Sequence, residues 1–174
     1  TLTTTEESAN RMNQGEDFGS FGSSMHGRDY PSIRQFTVFL ENRVGVLSSL
    51  IRRFAGTQVR ILALSIIDST ECSIVRFVFS LPEQGREILE RAGLAMIESD
   101  LIALELNQSE QPLLEVCTAL LQAEVNLVQS CALMVPCADQ NVVAIMVDNL
   151  EMASETLASQ GFRLMTEMEL KELS

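Results

Sequence analysis

From Arg34 onward the apolar and polar positions run through one programme twice. Phe36, Val38 and Leu40 recur at every second position over Arg34–Leu40, the period of a strand. Glu41–Gly45 reads as a turn, and Leu47, Leu50, Ile51 and Phe54 then follow helical spacing, with Gly56 near the stop. Val59–Ile67 is β-branched and apolar, Asp68–Glu71 is turn-like, and Ser73–Phe79 returns as a strand. Pro82 suits the first position of a second helix, which runs to about Arg91 and ends at Gly93. Leu94–Glu98 closes the set as a short strand, giving the order β-α-β-β-α-β.

Sliding Phe36–Ile61 forward by about 66 positions lays it on Ile102–Leu127 without a gap. Leu47, Leu50, Ile51 and Phe54 fall on Leu113, Val116, Cys117 and Leu120. After a hairpin about two residues longer, Phe77–Phe79 falls on Ile145–Val147 and Gly93 on Gly161. The second copy predicts strands at Leu101–Leu106, Asn126–Val135, Asn141–Val147 and Phe162–Thr166. Its helices fall at Pro112–Ala123 and Leu150–Ser159. The fold class is therefore α+β: two tandem ferredoxin-like βαββαβ units, each an antiparallel sheet with helices on one face. The expected division is a polar, mobile N-terminal segment 1–32, a first unit 33–99 and a second unit 100–174. Ser99-Asp100 carries the chain from one sheet edge into the next strand. The middle hairpins are apolar on both faces, with Ile61, Ala63, Ile74 and Val78 on one and Leu62, Leu64, Val75, Phe77 and Phe79 on the other. A sheet with one wet face alternates more cleanly. The second face thus needs a cover: the other repeat, a partner chain, or the segment carrying Phe18, Phe21, Met25 and Tyr30.

Charge narrows the function classes. The formal net charge is −12, divided as −3 over residues 1–33, +1 over 34–99 and −10 over 100–174. An acidic chain with no Trp and one Tyr is a poor match for nucleic acid, which asks for Lys/Arg and stacking aromatics. No apolar run is long enough to span a membrane, and no signal-peptide core precedes the repeats. Cys72, Cys117, Cys131 and Cys137 form no C-x-x-C pair, and His26 is the single histidine, so zinc spacing is absent. Reduced thiols in a cytoplasmic protein are the expectation. Ser48-Ser49 has no histidine partner, and no phosphate-loop or dinucleotide glycine pattern occurs. An acylphosphatase-like reading fails for want of a phosphate-gripping loop. No catalytic residue, metal or cofactor is expected. Arg52-Arg53 reads as a solvated face or as ion-pair partners for the acidic second copy, Glu83, Glu87 and Glu90 as the wet side of a helix, and the methionines of the second copy as adaptable packing.

The most specific local feature joins the first strand to the first helix: Asn42, Arg43, Val44, Gly45, Val46 and Leu47. Asn42 suits helix capping, Gly45 permits close approach to the backbone, and amides at a helix start attract a carboxylate. From the residues alone, an ordinary capped turn stays open as an alternative. This turn, set after the first strand of a repeated βαββαβ unit, resembles the ACT domain. That family's turn reads Asp-Arg-Pro-Gly-x-Leu; here Arg43, Gly45 and Leu47 match, while Asn42 and Val44 depart. Thr57–Ile61 and Glu124–Leu127 resemble the stretch that opens the family's second strand, and Gln160–Leu164 the close of a small tandem ACT protein.

The resemblance implies a non-catalytic regulatory protein that binds a small ligand, an amino acid, at an interface between ACT-like units. Its site would be Asn42–Leu47, and its assembly a homodimer. The alternative is a ligand-free interaction module, or a regulatory subunit docking on a metabolic enzyme. The second copy's turn, Asn107–Pro112, carries Gln111 at the glycine position and Glu110 beside it, so no comparable anion site is expected there.

Overall fold

The computed structural model describes residues 31–68, 72–136 and 141–174. The expectations for the segment up to Tyr30, for Ser69–Glu71 and for Cys137 lie outside the described residues.

The first repeat contains strand β1 (Ile33–Glu41), helix α1 (Val46–Ile51), a 3-10 turn (Arg52–Phe54), β2 (Ile61–Asp68), β3 (Cys72–Phe79) and α2 (Pro82–Arg91). Strand β4 (Met96–Leu106) follows. The second repeat continues with α3 (Pro112–Gln122), β5 (Leu127–Leu133), β6 (Asn141–Val147), α4 (Leu150–Ser159), β7 (Leu164–Met165) and α5 (Glu167–Leu173).

The expected break at Ser99-Asp100 is absent. The two strands read on either side of it are one continuous β4, whose first half pairs with β1 and whose second half pairs with β6. Extended backbone needs no turn residue to continue, and neither Ser nor Asp forces one. Fusing the strands carries the ladder from one repeat into the other without a break. Among the described residues the result is one seven-stranded sheet ordered β2-β3-β1-β4-β6-β5, with β7 also on β4.

The repeat is kept to the residue. Phe36 pairs with Phe77 in the first copy, and Ile102 with Ile145 in the second. Both hairpins carry an irregularity at the same place, between Ile61 and Ala63 and between Leu127 and Gln129. That bulge breaks the period of two, so Leu62 joins the face of Ala63 and Val78 rather than the helix side where strict alternation puts it.

Each copy buries its own core between sheet and helices. Phe36, Val38, Leu50, Phe54, Phe77, Phe79 and Leu89 fill the first; Ile102, Leu104, Val116, Leu120, Ile145 and Leu157 fill the second. The Phe79 ring stacks on Phe54 and Phe77 with centroids 5.0 and 5.4 Å apart, and Phe54 and Phe77 are tilted to each other at 6.1 Å. The faces away from the helices meet each other. Ile33, Leu62, Ala63 and Val78 of the first copy pack with Leu133, Val142 and Ala144 of the second. The outer strands also touch, where the Met134 amide donates to the Leu62 carbonyl at 2.6 Å. The other repeat is thus one cover for the second face.

The chain end seals this contact. Helix α5 was not foreseen, although Thr166-x-x-Glu169 is a capping-box pattern and forms one here. Leu170 is buried in the inter-repeat cluster, and Glu167 accepts from the Arg34 amide and guanidinium at 2.9 to 3.0 Å. Arg34 also pairs with Glu83 at 2.7 Å, and its pKa is raised, chiefly by hydrogen bonding to Glu167. Arg52 and Arg53 instead stay exposed, without an ion pair to the second copy among the described residues.

Candidate functional site

The turn after β1 stands open to solvent. Residues Asn42 to Gly45 are exposed, Val44 completely, while Val46 and Leu47 are half-buried against the first core. Gly45 has φ 90° and ψ −14°, the left-handed region that a side chain disfavours, and it sits at the cap of α1. A Cβ there would meet nothing within 4 Å. The glycine is therefore required by backbone conformation, and crowding plays no part in the described structure.

Its polar groups are partly engaged. The Val46 amide donates to the Arg43 carbonyl at 3.3 Å, and the Arg43 amide to the Glu41 carbonyl at 2.7 Å. The Arg43 guanidinium pairs with Glu41. Among the described residues the amides of Gly45, Leu47 and Ser48 donate to no backbone carbonyl. Helix α1 is only six residues long before it tightens into the 3-10 turn, so its dipole is weak.

Beside the turn runs a feature that the sequence reading missed. A groove of about 590 Å³ is lined by Leu47, Ser48, Ile51, Arg52, Phe54, Ala55, Val59 and Ile61. Two of its wall residues, Leu47 and Ile51, are apolar positions of α1 that helical spacing assigns to the core. The signal was the short helix: a first helix that ends at Ile51 cannot cover the sheet as far as an eleven-residue α3 does.

The sequence profile of the ACT domain pair matches residues 31–174. The chain belongs to the ACT domain pair family. Protein BT0572 from Bacteroides thetaiotaomicron superposes on this ACT pair with TM-score 0.74 at 21% identity, covering 83% of this chain and 99% of that one. The regulatory subunit of aspartate kinase from Thermus thermophilus, in its ligand-free form, gives 0.48 at 12% identity over 75% and 93% of the two chains. At these identities the likeness is one of fold. No curated protein matches the sequence.

The two turns of the ACT pair differ as the sequences do. Gln111 caps α3 with φ −141°, its side chain makes no capping bond, and Pro112 supplies no amide. Asn107 instead donates weakly to Glu115 at 3.4 Å. The stretch Leu113, Leu114, Cys117 and Leu121, which matches Leu47, Ser48, Ile51 and Ala55, contributes no buried residue. Among the described residues no group of three His, Cys, Asp or Glu side chains could hold a metal, and no helix is long and apolar enough to cross a membrane.

Proposed function

We propose that this ACT pair is a non-catalytic regulatory protein that binds an amino acid at the first turn, Asn42–Leu47, at an interface between ACT units. One observation carries the reading. Amides that donate to no backbone carbonyl among the described residues, at a left-handed glycine, adjoin an apolar groove with Arg52 on its wall. A carboxylate suits the amides, and an apolar side chain suits the groove. The interface would be supplied by a second copy, making a homodimer, because the turn and the inter-repeat contact lie at opposite ends of β1. Ligand bridging two units favours their associated state.

Titration calorimetry against the twenty amino acids, with sedimentation to follow assembly, tests this. Binding by one of them, abolished in Gly45→Asp, supports the proposal. No binding by any of the twenty removes it.

A second reading rests on α3. Leu114, Cys117 and Leu121 are exposed at helical spacing, and Leu121 retains 76% of its exposure. Such a stripe suits docking on a partner, a metabolic enzyme among the candidates, with no ligand involved. Stoichiometric co-purification of an enzyme with the wild type but not with Leu114→Lys/Leu121→Lys favours this reading over the first.

A further inference from the structure

We infer that the seam where the two non-helical faces meet is a second binding site, for a small monocarboxylate with an apolar body. The strand register lays the first repeat's non-helical face in rows. Ala63, Val78, Gln35 and Ser99 form one row; Ser65, Arg76, Thr37 and Ile97 the next; Ile67, Ile74 and Phe39 the third. The first row packs on the second repeat, the second is polar, and the third is largely open, with Phe39 and Ile67 each 46% exposed.

The polar row and its neighbour Gln35 are not satisfied within the protein. Gln35 is 2% exposed. Its Oε1 accepts from Gln129 Nε2 of the second repeat at 2.8 Å, whereas its own Nε2 has no partner among the described residues. Ser65 Oγ, one row on, is equally buried and unpartnered. A buried polar group left unmade costs about 1–3 kcal/mol, so two on one face call for an explanation. Between them in register stands Arg76, which makes no ion pair among the described residues. Across the gap, burial pushes the Cys131 thiol up, which keeps it neutral and leaves Arg76 without a competing anion there.

A guanidinium, an amide and a hydroxyl on adjoining rows of one face are the donor set that suits a carboxylate. Arg76 meets it at the mouth, and a slight parting of the faces brings Gln35 Nε2 and Ser65 Oγ within reach. The apolar body then lies on Ile67, Ile74 and Phe39. This site owes nothing to the first turn, so either can fail alone.

The experiment is titration calorimetry of the full chain with hexanoate, acetate and hexanamide, with amide NMR shifts to locate binding. Hexanoate should bind at least tenfold tighter than either acetate or hexanamide, with shifts centred on Arg76 and its row. Arg76→Gln should weaken hexanoate at least tenfold. Ser65→Ala should weaken it at least threefold with an unchanged or raised melting midpoint, a split that a merely structural hydroxyl would not give. Gly45→Asp should leave it unaltered. No hexanoate binding, hexanoate bound equally by folded Arg76→Gln, or shifts confined to Asn42–Leu47 would each overturn the assignment.

Discussion

Gly85→Ala tests how tightly the first core is set. Gly85 lies inside α2, and an added Cβ would fall 2.6 Å from Phe79 Cγ and closer still to Cδ2. In an open helix the change gains about 1 kcal/mol from propensity. Here the ring cannot yield. Phe79 is 3% exposed and stacked on Phe54 at 5.0 Å and on Phe77 at 5.4 Å, with Phe36 tilted beside it at 5.5 Å. Overpacking of this kind costs about 1–3 kcal/mol, toward the upper end where backbone must move. The net expectation is a loss of about 1–2 kcal/mol, a fall of roughly 2–8 °C in the melting midpoint for a chain of this size. Because Phe54 also lines the groove beside the first turn, the same strain should reshape the proposed site. Urea unfolding followed by circular dichroism measures the loss. Phe79→Leu, itself destabilising, should absorb the added methyl, so the double variant should be more stable than additivity predicts. A Gly85→Ala protein as stable as wild type, or a strictly additive double variant, would refute the argument.

Three further outcomes follow from the same coordinates. Arg34→Met and Glu167→Gln should each cost about 2 kcal/mol, with a coupling of at least 1 kcal/mol in a double-mutant cycle, because both side chains are less than a third exposed and the pair is bidentate; additive losses would show the joint to be idle. The Thr166 backbone bond, chiefly, with help from the Thr166 hydroxyl and Arg163, holds the Glu169 carboxyl below its ordinary 4.5. A depressed folded-state pKa stabilises at and above the ordinary value and is lost as pH falls through the folded one, so hydrogen-exchange protection of α5 should drop in that acid range, and a Glu169→Ala protein should lack the step. Cys117 is exposed, whereas Cys131 is half-buried with a raised pKa, so maleimide at neutral pH should label Cys117 first by mass spectrometry; the reverse order would contradict the placement of β5 against the first repeat.

What was legible in the sequence was periodic. Alternation and helical spacing located both hairpins and four helices, and the copies align because equivalent positions, such as Val59 and Val125, meet equivalent burial. What was not legible depends on partners distant in sequence. Whether Ser99-Asp100 bends or runs straight is decided by β1 and β6 on its flanks, not by its own side chains. The bulge that turns Leu62 outward cannot be read from a run in which every neighbour is apolar. At the first turn, the left-handed glycine was foreseeable from Arg43-Val44-Gly45, but the groove was not, since it exists only because α1 stops early. Gln35, Ser65 and Arg76 were polar letters in strand sequence; their rank in one face appears only once the register is known.

Strand direction decides which of the two proposed sites needs a second chain. Antiparallel β1 and β4 share the pairing of Ile33 with Leu101, and from there β1 runs to its turn one way while β4 runs to its own turn the other. At about 3.3 Å per residue the two turns are separated by on the order of 40–50 Å along the sheet. No amino acid spans that distance, so a ligand held between first turns must join separate chains. Its apparent affinity should therefore strengthen with protein concentration, and its binding should drive dimer formation in sedimentation. The seam is closed by Gln35 and Gln129 of one chain, so carboxylate affinity there should not change over the same concentration range. An amino acid whose affinity is independent of protein concentration, on a chain that stays monomeric, would rule out the bridging geometry even though the ligand binds.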